Sequence, residues 1–346
     1  MVGVIRDPVF LKHNIPGHPE SPERLRAIQD HLDASGLLAG TRSLRFEPAT
    51  REQLLWLHAE EHLASLERAC ATGRADFTID TLAMEDTCEA AYAAAGACIA
   101  AAKASLSDEC PRSLCLVRPP GHHAGEDVIK GFCFLNNVAL AAEAALRDGA
   151  ERIAIVDFDV HHGNGTQELF YHRRDVLYTS IHEHGLFPGT GSYDEVGVEE
   201  GAGYTINVPL VRGAGDAHYA RVMQELLAPA LREFQPDLIL VSAGYDSHHA
   251  EPLAEMDCSA RAFYDWTALL ARTADETCAG RLVLVLEGGY SLTWLGPCVE
   301  NSLRALLGRG PSDIADRSVE PHPGQREMIE SALELVLKTH RERLGL

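Results

Sequence analysis

The sequence is short of basic residues, has no closely paired cysteines and has no long apolar run. Its 30 Lys and Arg residues are outnumbered by 51 Asp and Glu residues, which gives a formal net charge of -21. This charge argues against nucleic-acid binding, because phosphate backbones are bound by basic surfaces. It suits a cationic substrate, but acidity also serves solubility and does not decide the point.

The nine cysteines are scattered and form no CxxC pair. An odd number of separate cysteines argues against a disulfide framework and a thiolate zinc site, so we expect reduced, mostly buried thiols. The start, MVGVIRDPVF, has no basic segment followed by an apolar one, which predicts a cytoplasmic protein without a secretory signal. The longest apolar run, AAYAAAGACIAAA, is short for a membrane span and mostly alanine, so we expect a buried helix and no membrane partner.

Internal repeats, low-complexity tracts and linkers are also absent from the sequence, which favours one domain over residues 1–346. Short runs rich in β-branched residues recur, among them IAIVDFDV, LILVSAG and LVLVLEGG. Segments with helical periodicity, such as NNVALAAEAALRDGA, lie between most of these runs. The alternation predicts an α/β fold with a parallel sheet covered by helices.

Four motifs follow directly on predicted strands, namely RPPGHH, DFDVHHGNG, AGYDSH and EGGY. In open parallel sheets, ligands bind outside the carboxyl ends of the strands, so we expect the four motifs to share one crevice. The first motif places His122 and His123 behind two prolines, in a segment too rigid for a helix. Such a fixed pair indicates proton chemistry or metal binding.

The second motif has the spacing of a metal-binding segment. Asp157, Asp159 and His161 alternate with apolar residues, so an extended backbone points the three polar groups to one side. Two carboxylates and one imidazole can hold Zn²⁺ and leave a fourth position open, as in catalytic zinc sites. Asp159, His161 and Asp246 are the predicted ligands of one metal ion per chain, and Fe²⁺ tolerates the same donors.

Other histidines close to these motifs have a simpler interpretation. A single histidine in a loop is more often a structural residue than a ligand. We therefore expect loop or supporting roles for His162, His182, His184, His248 and His249.

Six motifs, RPPGHHA, GFCFLNN, DFDVHHGNGTQ, FPGTG, SAGYDSH and EGGY, occur in the order found in one family. The sequence resembles the histone deacetylase family, zinc amidohydrolases that include bacterial deacetylase-like and acetylpolyamine-cleaving members. HHGNG together with EGGY resembles the class II branch. The resemblance covers most of the chain and implies an arginase-like α/β fold. That fold has a mostly parallel sheet of about eight strands, flanking helices and an active site at the C-terminal strand ends.

The resemblance also implies catalytic roles. His123 matches the usual general base and acid, paired here with Asn164, and His122 is the more electrostatic partner, paired with Asp157. A carboxylate behind an imidazole favours its charged form, so we expect a cationic His122 and a more neutral His123. Tyr290 matches the donor that stabilises the oxyanion together with zinc.

Substrate and ion sites follow from the same resemblance. Phe132 and Phe187 match the facing walls of the acyl-lysine tunnel, which Gly131 and Leu253 also line. Arg24 matches an arginine of the inner channel, whereas the sequence alone indicates an exposed charge on a helix. A structural K⁺ site is implied at Asp157, Asp159, His161, Ser180 and Ile181, and a second near Phe170, Arg173, Val176 and Tyr204.

The predicted reaction is hydrolysis of acetylated amines, on lysine side chains or on polyamines. Leu253 stands where polyamine-specific eukaryotic members have a glutamate, which favours an acetyl-lysine peptide or protein as the substrate. Glu251 and Glu255 lie close by, and a partner subunit shapes the entrance in some bacterial relatives, so a homo-oligomer stays open. The alternatives are a non-catalytic acyl-lysine binding module and an arginase-type ureohydrolase with paired manganese ions.

Overall fold

The structure is a computed structural model that describes residues 1–316 and 323–345. One sheet of eight strands forms its centre. The strands are β1 (Val2–Ile5), β2 (Thr41–Ser43), β5 (Arg112–Cys115), β6 (Ile153–Asp157), β7 (Val176–Glu183), β8 (Thr205–Leu210), β9 (Leu238–Ala243) and β10 (Leu282–Leu286), and a separate hairpin consists of β3 (Arg74–Asp76) and β4 (Leu82–Met84). The sheet order is β2-β1-β5-β10-β9-β6-β7-β8, and all neighbours in it are parallel. The predicted α/β class is confirmed.

Helices flank this sheet. They are α1 (Pro22–Ser35), α2 (Arg51–Leu54), α3 (Glu60–Ala71), α4 (Thr87–Leu106), α5 (Asn137–Arg147), α6 (Asn164–Phe170), α7 (Asp216–Val222), α8 (Ala228–Phe234), α9 (Ala260–Thr277), α10 (Leu295–Leu306) and α11 (Pro323–Leu344). A π-helical segment, Met223–Leu227, joins α7 to α8. Short 3₁₀ helices cover Pro8–Leu11, Leu37–Gly40 and Glu199–Gly201.

The middle strands are buried along their whole length, because helices cover both faces of a parallel sheet. Every residue of β9, β10 and β6 is buried, and the sequences of β9 and β10 are almost wholly apolar. The alanine-rich run lies in α4 and is mostly buried, as predicted. Among the described residues, no helix combines the length and apolar character needed to cross a bilayer. The nine cysteines are free, and eight of them are buried.

A buried ion network connects the N-terminal segment to the end of β10. Glu20, Arg24 and Arg118 are fully buried. Arg118 donates to both carboxylate oxygens of Glu20, at 2.5 and 2.6 Å, and Arg24 donates to the same carboxylate at 3.1 Å. Arg24 also donates to the carbonyl oxygens of Glu287 and Gly289, both at 2.6 Å. Arg24 is therefore a buried anchor. The prediction from its sequence context, an exposed charge on a helix, is wrong.

We expect Glu20→Gln to lower the free energy of unfolding by about 3 to 5 kcal/mol, because it leaves two buried guanidinium groups without their carboxylate. Urea unfolding of both proteins measures the difference. Glu23→Gln is the matched control, since Glu23 pairs with Arg26 at an exposed site and its loss costs little. Equal stability of Glu20→Gln and the parent would show that the network is not stabilising.

The same carboxylate makes stability depend on pH. Burial opposes ionisation of Glu20, but Arg118 and Arg24 outweigh it and lower its pKa from 4.5 to about 2. A carboxyl whose pKa is lower in the folded state stabilises the fold above its unfolded pKa. That contribution is lost as the pH falls from about 4.5 towards 2.

Candidate functional site

The four strand-following motifs meet at the carboxyl edge of the sheet, as predicted. His122 and His123 follow β5, Asp246 follows β9 and Tyr290 follows β10. A cavity of about 220 Å³ opens there. Its lining consists of Asp80, Pro120, His122, His123, Gly131, Phe132, His161, Leu186, Phe187, Leu253, Gly288 and Tyr290. The sequence did not single out Asp80 or Leu186, which lie in segments without a strand-following motif.

The proposed ligands converge beside this cavity. Nδ1 of His161 lies 3.0 Å from Oδ1 of Asp159 and 3.1 Å from Oδ2 of Asp246. Asp159 and Asp246 are almost completely buried. Ligand atoms of all three residues lie within 4.8 Å of one another. Three donors this close can hold one divalent metal ion.

Backbone groups orient the two carboxylates. The N–H of Gly288 donates to Oδ2 of Asp159 at 2.8 Å, and the N–H of Val160 donates to Oδ1 of Asp246 at 2.9 Å. Gly288 is required by this approach, since a Cβ atom there would lie 2.1 Å from Oδ2 of Asp246. The EGGY motif therefore places a glycine where the backbone contacts the carboxylates of Asp159 and Asp246.

The electrostatics of the group suit a cation. Burial and the neighbouring charge of Asp159 raise the pKa of Asp246. Burial disfavours a charged His161, but hydrogen bonds and charges from both aspartates outweigh it and raise its pKa to about 10. Two buried carboxylates facing one imidazole are stabilised by positive charge between them. The donor set thus fits Zn²⁺ or Fe²⁺.

The tandem histidines have different surroundings. Nδ1 of His122 lies 3.0 Å from Oδ2 of Asp157, which also accepts a hydrogen bond from the Tyr178 hydroxyl. Burial lowers the pKa of His122, but the charges of Asp157 and Asp159 outweigh it and raise the pKa to about 10. Burial, followed by the charge of His122, holds the pKa of His123 well below its usual range. Adjacent imidazoles therefore favour opposite protonation states.

Asn164 contacts His123 through its side-chain amide, 3.0 Å from Nδ1. With the amide NH₂ towards His123, the amide oxygen accepts from Nζ of Lys130 at 2.9 Å and from the N–H of Gly165 at 3.2 Å. This orientation satisfies both ends of the amide. The Asn164 amide therefore orients the His123 ring.

Glu287 holds the backbone of the segment that carries the tandem histidines, and the sequence analysis did not identify it. It is fully buried, and its Oε2 accepts from the N–H groups of Gly121 and His122 at 2.7 and 3.2 Å. Burial raises the pKa of Glu287 to about 7. A charged residue directly after the apolar run of β10 was the available signal.

Phe132 and Phe187 line the walls of the cavity and are not part of the hydrophobic core. The ring of Phe132 lies 5.7 Å from that of Tyr290, and the ring of Phe187 lies 5.1 Å from that of His123. Phe187 is 43% exposed and Leu253 is 36% exposed, so both lie at the rim. Gly131 has a φ of +57°, and a Cβ atom there would lie 2.4 Å from the His123 ring. Glycine therefore lets the wall approach the histidine.

The residues of the first implied K⁺ site lie at the end of β6, in β7 and in the segment that follows β6. Asp157 and Ser180 are register partners in β6 and β7. Nε2 of His182 donates to the carbonyl of Gly191 at 2.9 Å, so its Nδ1 accepts from the Ser180 hydroxyl, also at 2.9 Å. Ser180 therefore keeps oxygen lone pairs for an ion. The K⁺ sites, with Ile181 in the first and Tyr204 in the second, stay predictions.

Five histidines were expected to have loop or supporting roles, and four of them form hydrogen bonds to loop or C-terminal residues. His162 and His182 hold the loop after Phe187, through contacts to Thr190 at 2.7 Å and to Gly191. His248 and His249 contact the two oxygens of Asp316, at 3.0 and 2.8 Å.

The His248, His249 and Asp316 group also has metal-ligand spacing. However, Nδ1 of His248 accepts the backbone N–H of Ala250 at 3.1 Å. The proton of a neutral His248 therefore lies on Nε2, the nitrogen that faces Asp316. A metal ligand needs that nitrogen unprotonated, so the group is better described as a hydrogen-bonded clamp.

A parallel sheet with a buried Asp, His, Asp group and paired histidines at its carboxyl edge is consistent with an arginase-like α/β fold. The chain belongs to the histone deacetylase family, since the model of the histone deacetylase domain matches residues 18–306. It is 42% identical over 296 residues to a probable deacetylase of Archaeoglobus fulgidus, covering 84% of this chain and 82% of that protein. It is 41% identical to the histone deacetylase-like amidohydrolase of Pseudomonas aeruginosa, covering 82% of this chain and 75% of that one.

The crystal structure of the HDA15 HD domain has the same fold. Its TM-score is 0.88 at 34% identity, covering 99% of this chain and 98% of that one. The family resemblance and the arginase-like fold are confirmed. The family consists of deacetylases and amidohydrolases that act on acetylated substrates and are generally metal-dependent. A relative from Oryza sativa, 38% identical, is named chloroplastic, so the cytoplasmic location stays a prediction.

Proposed function

We propose that this protein is a zinc-dependent deacetylase that hydrolyses the amide of acetyl-lysine side chains in peptides or proteins. One observation carries the proposal: Asp159, His161 and Asp246 converge beside a cavity that His123 and Tyr290 line. We propose one Zn²⁺ per chain, with Fe²⁺ as the alternative, and K⁺ as a structural ion. The catalytic domain is proposed to span residues 1–346.

Asp159, His161 and Asp246 would hold the metal ion, which when bound would supply Lewis acidity to the carbonyl and lower the pKa of water. His123, uncharged in its buried setting and oriented by the Asn164 amide, takes the proton of the attacking water. A new C–O bond forms, the C–N bond breaks, and that proton passes to the leaving amine.

His122 and Tyr290 stabilise the charge that develops on the carbonyl oxygen. Asp157 keeps His122 cationic, so this imidazolium supplies positive charge beside the reaction. Enclosure by the protein raises the pKa of Tyr290 well above its usual range, although Arg24 opposes this shift. The hydroxyl is therefore protonated at neutral pH and able to donate to the oxyanion.

The walls suit a methylene stem. Phe132, Phe187 and Leu253 offer apolar surface along the cavity. A polyamine substrate carries a further ammonium group, but the two nearby acidic residues that could bind it already have partners in the protein. Glu251 is buried and accepts two backbone N–H bonds, and Glu255 pairs with Arg212 at 2.9 Å. Asp80 is the acid that lines the cavity, and its Oδ1 accepts from two threonine hydroxyls.

We therefore expect kcat/KM for an acetyl-lysine peptide to exceed that for acetylputrescine and acetylspermidine by roughly tenfold or more, since this ratio reports differential transition-state binding. Leu253→Glu should shift the ratio towards the polyamines, and Leu253→Gln, polar but uncharged, should not. A tenfold preference of the parent for an acetylpolyamine would overturn the substrate assignment and point to Asp80 or a partner subunit.

A further inference from the structure

The loop that carries Tyr290 is held from two sides. On one side, Arg24 donates to the carbonyl oxygens of Glu287 and Gly289, and its guanidinium carbon lies 4.7 Å from the centre of the Tyr290 ring. On the other side, Oε2 of Glu251 accepts from the N–H of Tyr290 at 2.9 Å and from the N–H of Ser291 at 3.2 Å.

The loop needs such anchors beyond Gly288, whose N–H is bonded to Asp159, because glycines restrict the backbone little. Gly288 and Gly289 precede Tyr290, and Gly289 has a φ of +110°, a conformation that side-chain-bearing residues rarely adopt. A pair of glycines allows many backbone conformations. The place of the Tyr290 hydroxyl is therefore set by the contacts on either side of the loop.

Glu251 is an unusual residue to find at this place. Its exposed fraction is 8%, and its Oε1 has no hydrogen-bond partner among the described residues. Burying a carboxyl group with one oxygen unpaired costs free energy. The contacts that offset this cost are the two bonds to the Tyr290 loop, since they are the side-chain bonds that Glu251 makes in the described part of the chain.

We propose that Glu251 is a positioning residue that anchors the backbone at Tyr290 and affects turnover only through the Tyr290 hydroxyl. The inference rests on the proposed function, in which that hydroxyl stabilises the oxyanion. The anchored N–H belongs to Tyr290 itself, so a change in this bond rotates or shifts the side chain directly. Hydrogen bonds weaken steeply when distance or angle departs from the optimum, so a small shift is enough to reduce turnover.

The kinetic test is a double-mutant cycle on the zinc-loaded protein with an acetyl-lysine peptide. Glu251→Ala should lower kcat roughly 10- to 100-fold, the scale of a misplaced catalytic group, with a smaller change in KM. In a Tyr290→Phe background, the same change should lower kcat by less than about threefold, because no hydroxyl remains to be positioned. An equal loss of kcat in both backgrounds would overturn the proposal.

Three further variants complete the series. Glu251→Gln keeps a side-chain oxygen that accepts both N–H bonds, so it should retain most of the activity. Glu251→Asp is one methylene shorter and should behave like Glu251→Ala even if the alanine variant fails to fold. Glu255→Ala is the control, since Glu255 is exposed and pairs with Arg212. Loss of activity in Glu251→Gln but not in Glu251→Asp would contradict the anchoring role.

A second readout does not depend on activity. Hydrogen exchange at the backbone amides of Tyr290 and Ser291 should become faster in Glu251→Asp and stay slow in Glu251→Gln. If the parent hydrolyses no acetylated substrate while the exchange result holds, the proposed function is wrong and the anchor is right. Unchanged exchange in Glu251→Asp would overturn the anchor, whatever the activity.

Discussion

We expect Asp159→Ala to abolish both metal binding and turnover. Asp159 supplies one of the three proposed donors, and its two oxygens also accept the N–H groups of His161 and Gly288 at 2.9 and 2.8 Å. Removing it leaves two donors, fewer than a catalytic zinc site needs. Elemental analysis of the purified protein should give one Zn²⁺ or Fe²⁺ ion per chain for the parent and none for the variant.

Asp316→Asn is the matched control for this result. It alters the second group of histidines and carboxylate, which we describe as a hydrogen-bonded clamp, so metal content and kcat should match the parent. An Asp159→Ala protein with a full complement of zinc and the activity of the parent would rule out the ligand assignment. Two manganese ions per chain in the parent would instead favour an arginase-type ureohydrolase.

We expect Tyr290→Phe to lower kcat by roughly 100-fold or more, the scale for losing one donor to an oxyanion. The variant should keep its metal ion and its fold, because the phenyl ring still fills the place beside Phe132. KM should change less than kcat, since the hydroxyl is expected to act mainly in the transition state. Steady-state kinetics at saturating peptide measure the effect.

Tyr264→Phe serves as the comparison, because Tyr264 lies on α9 and outside the cavity lining. It should match the parent in both kcat and KM. If Tyr290→Phe turned over as fast as the parent, another group would have to polarise the carbonyl, and His122 would be the first to examine.

The site residues that can be predicted are those with a recognisable pattern in the sequence directly around them. Asp159 and His161 stand out because they alternate with apolar residues at the end of an apolar strand. Asp246 stands out because its motif follows directly on β9, whereas the role of Tyr290, which follows β10, came from the family resemblance of EGGY. Because parallel strands share one carboxyl edge, local patterns were enough to place these side chains in one crevice.

The supporting charges could not be found in this way, because their partners lie far along the chain. Glu20 meets Arg118 across 98 positions, and Arg24 meets Gly289 across 265. Glutamate in a loop or on a helix is usually exposed, so composition and periodicity give no sign that Glu20 or Glu251 is buried. The rim acid Asp80 was missed likewise, since it belongs to the β3–β4 hairpin segment rather than to a strand of the main sheet.

The position of β1 inside the sheet determines where the protein can be shortened. β1 pairs with β2 on one side and with β5 on the other, although it begins at residue 2. A fragment trimmed to the family match, residues 18–306, would lose this strand and leave one side of β5 as an open edge that is prone to aggregation. It would also lose α11, whose His340 donates to the carbonyl of Asn207 on β8, the opposite edge strand. The family match therefore lies within the folding unit, and a trimmed enzyme would expose both ends of its sheet.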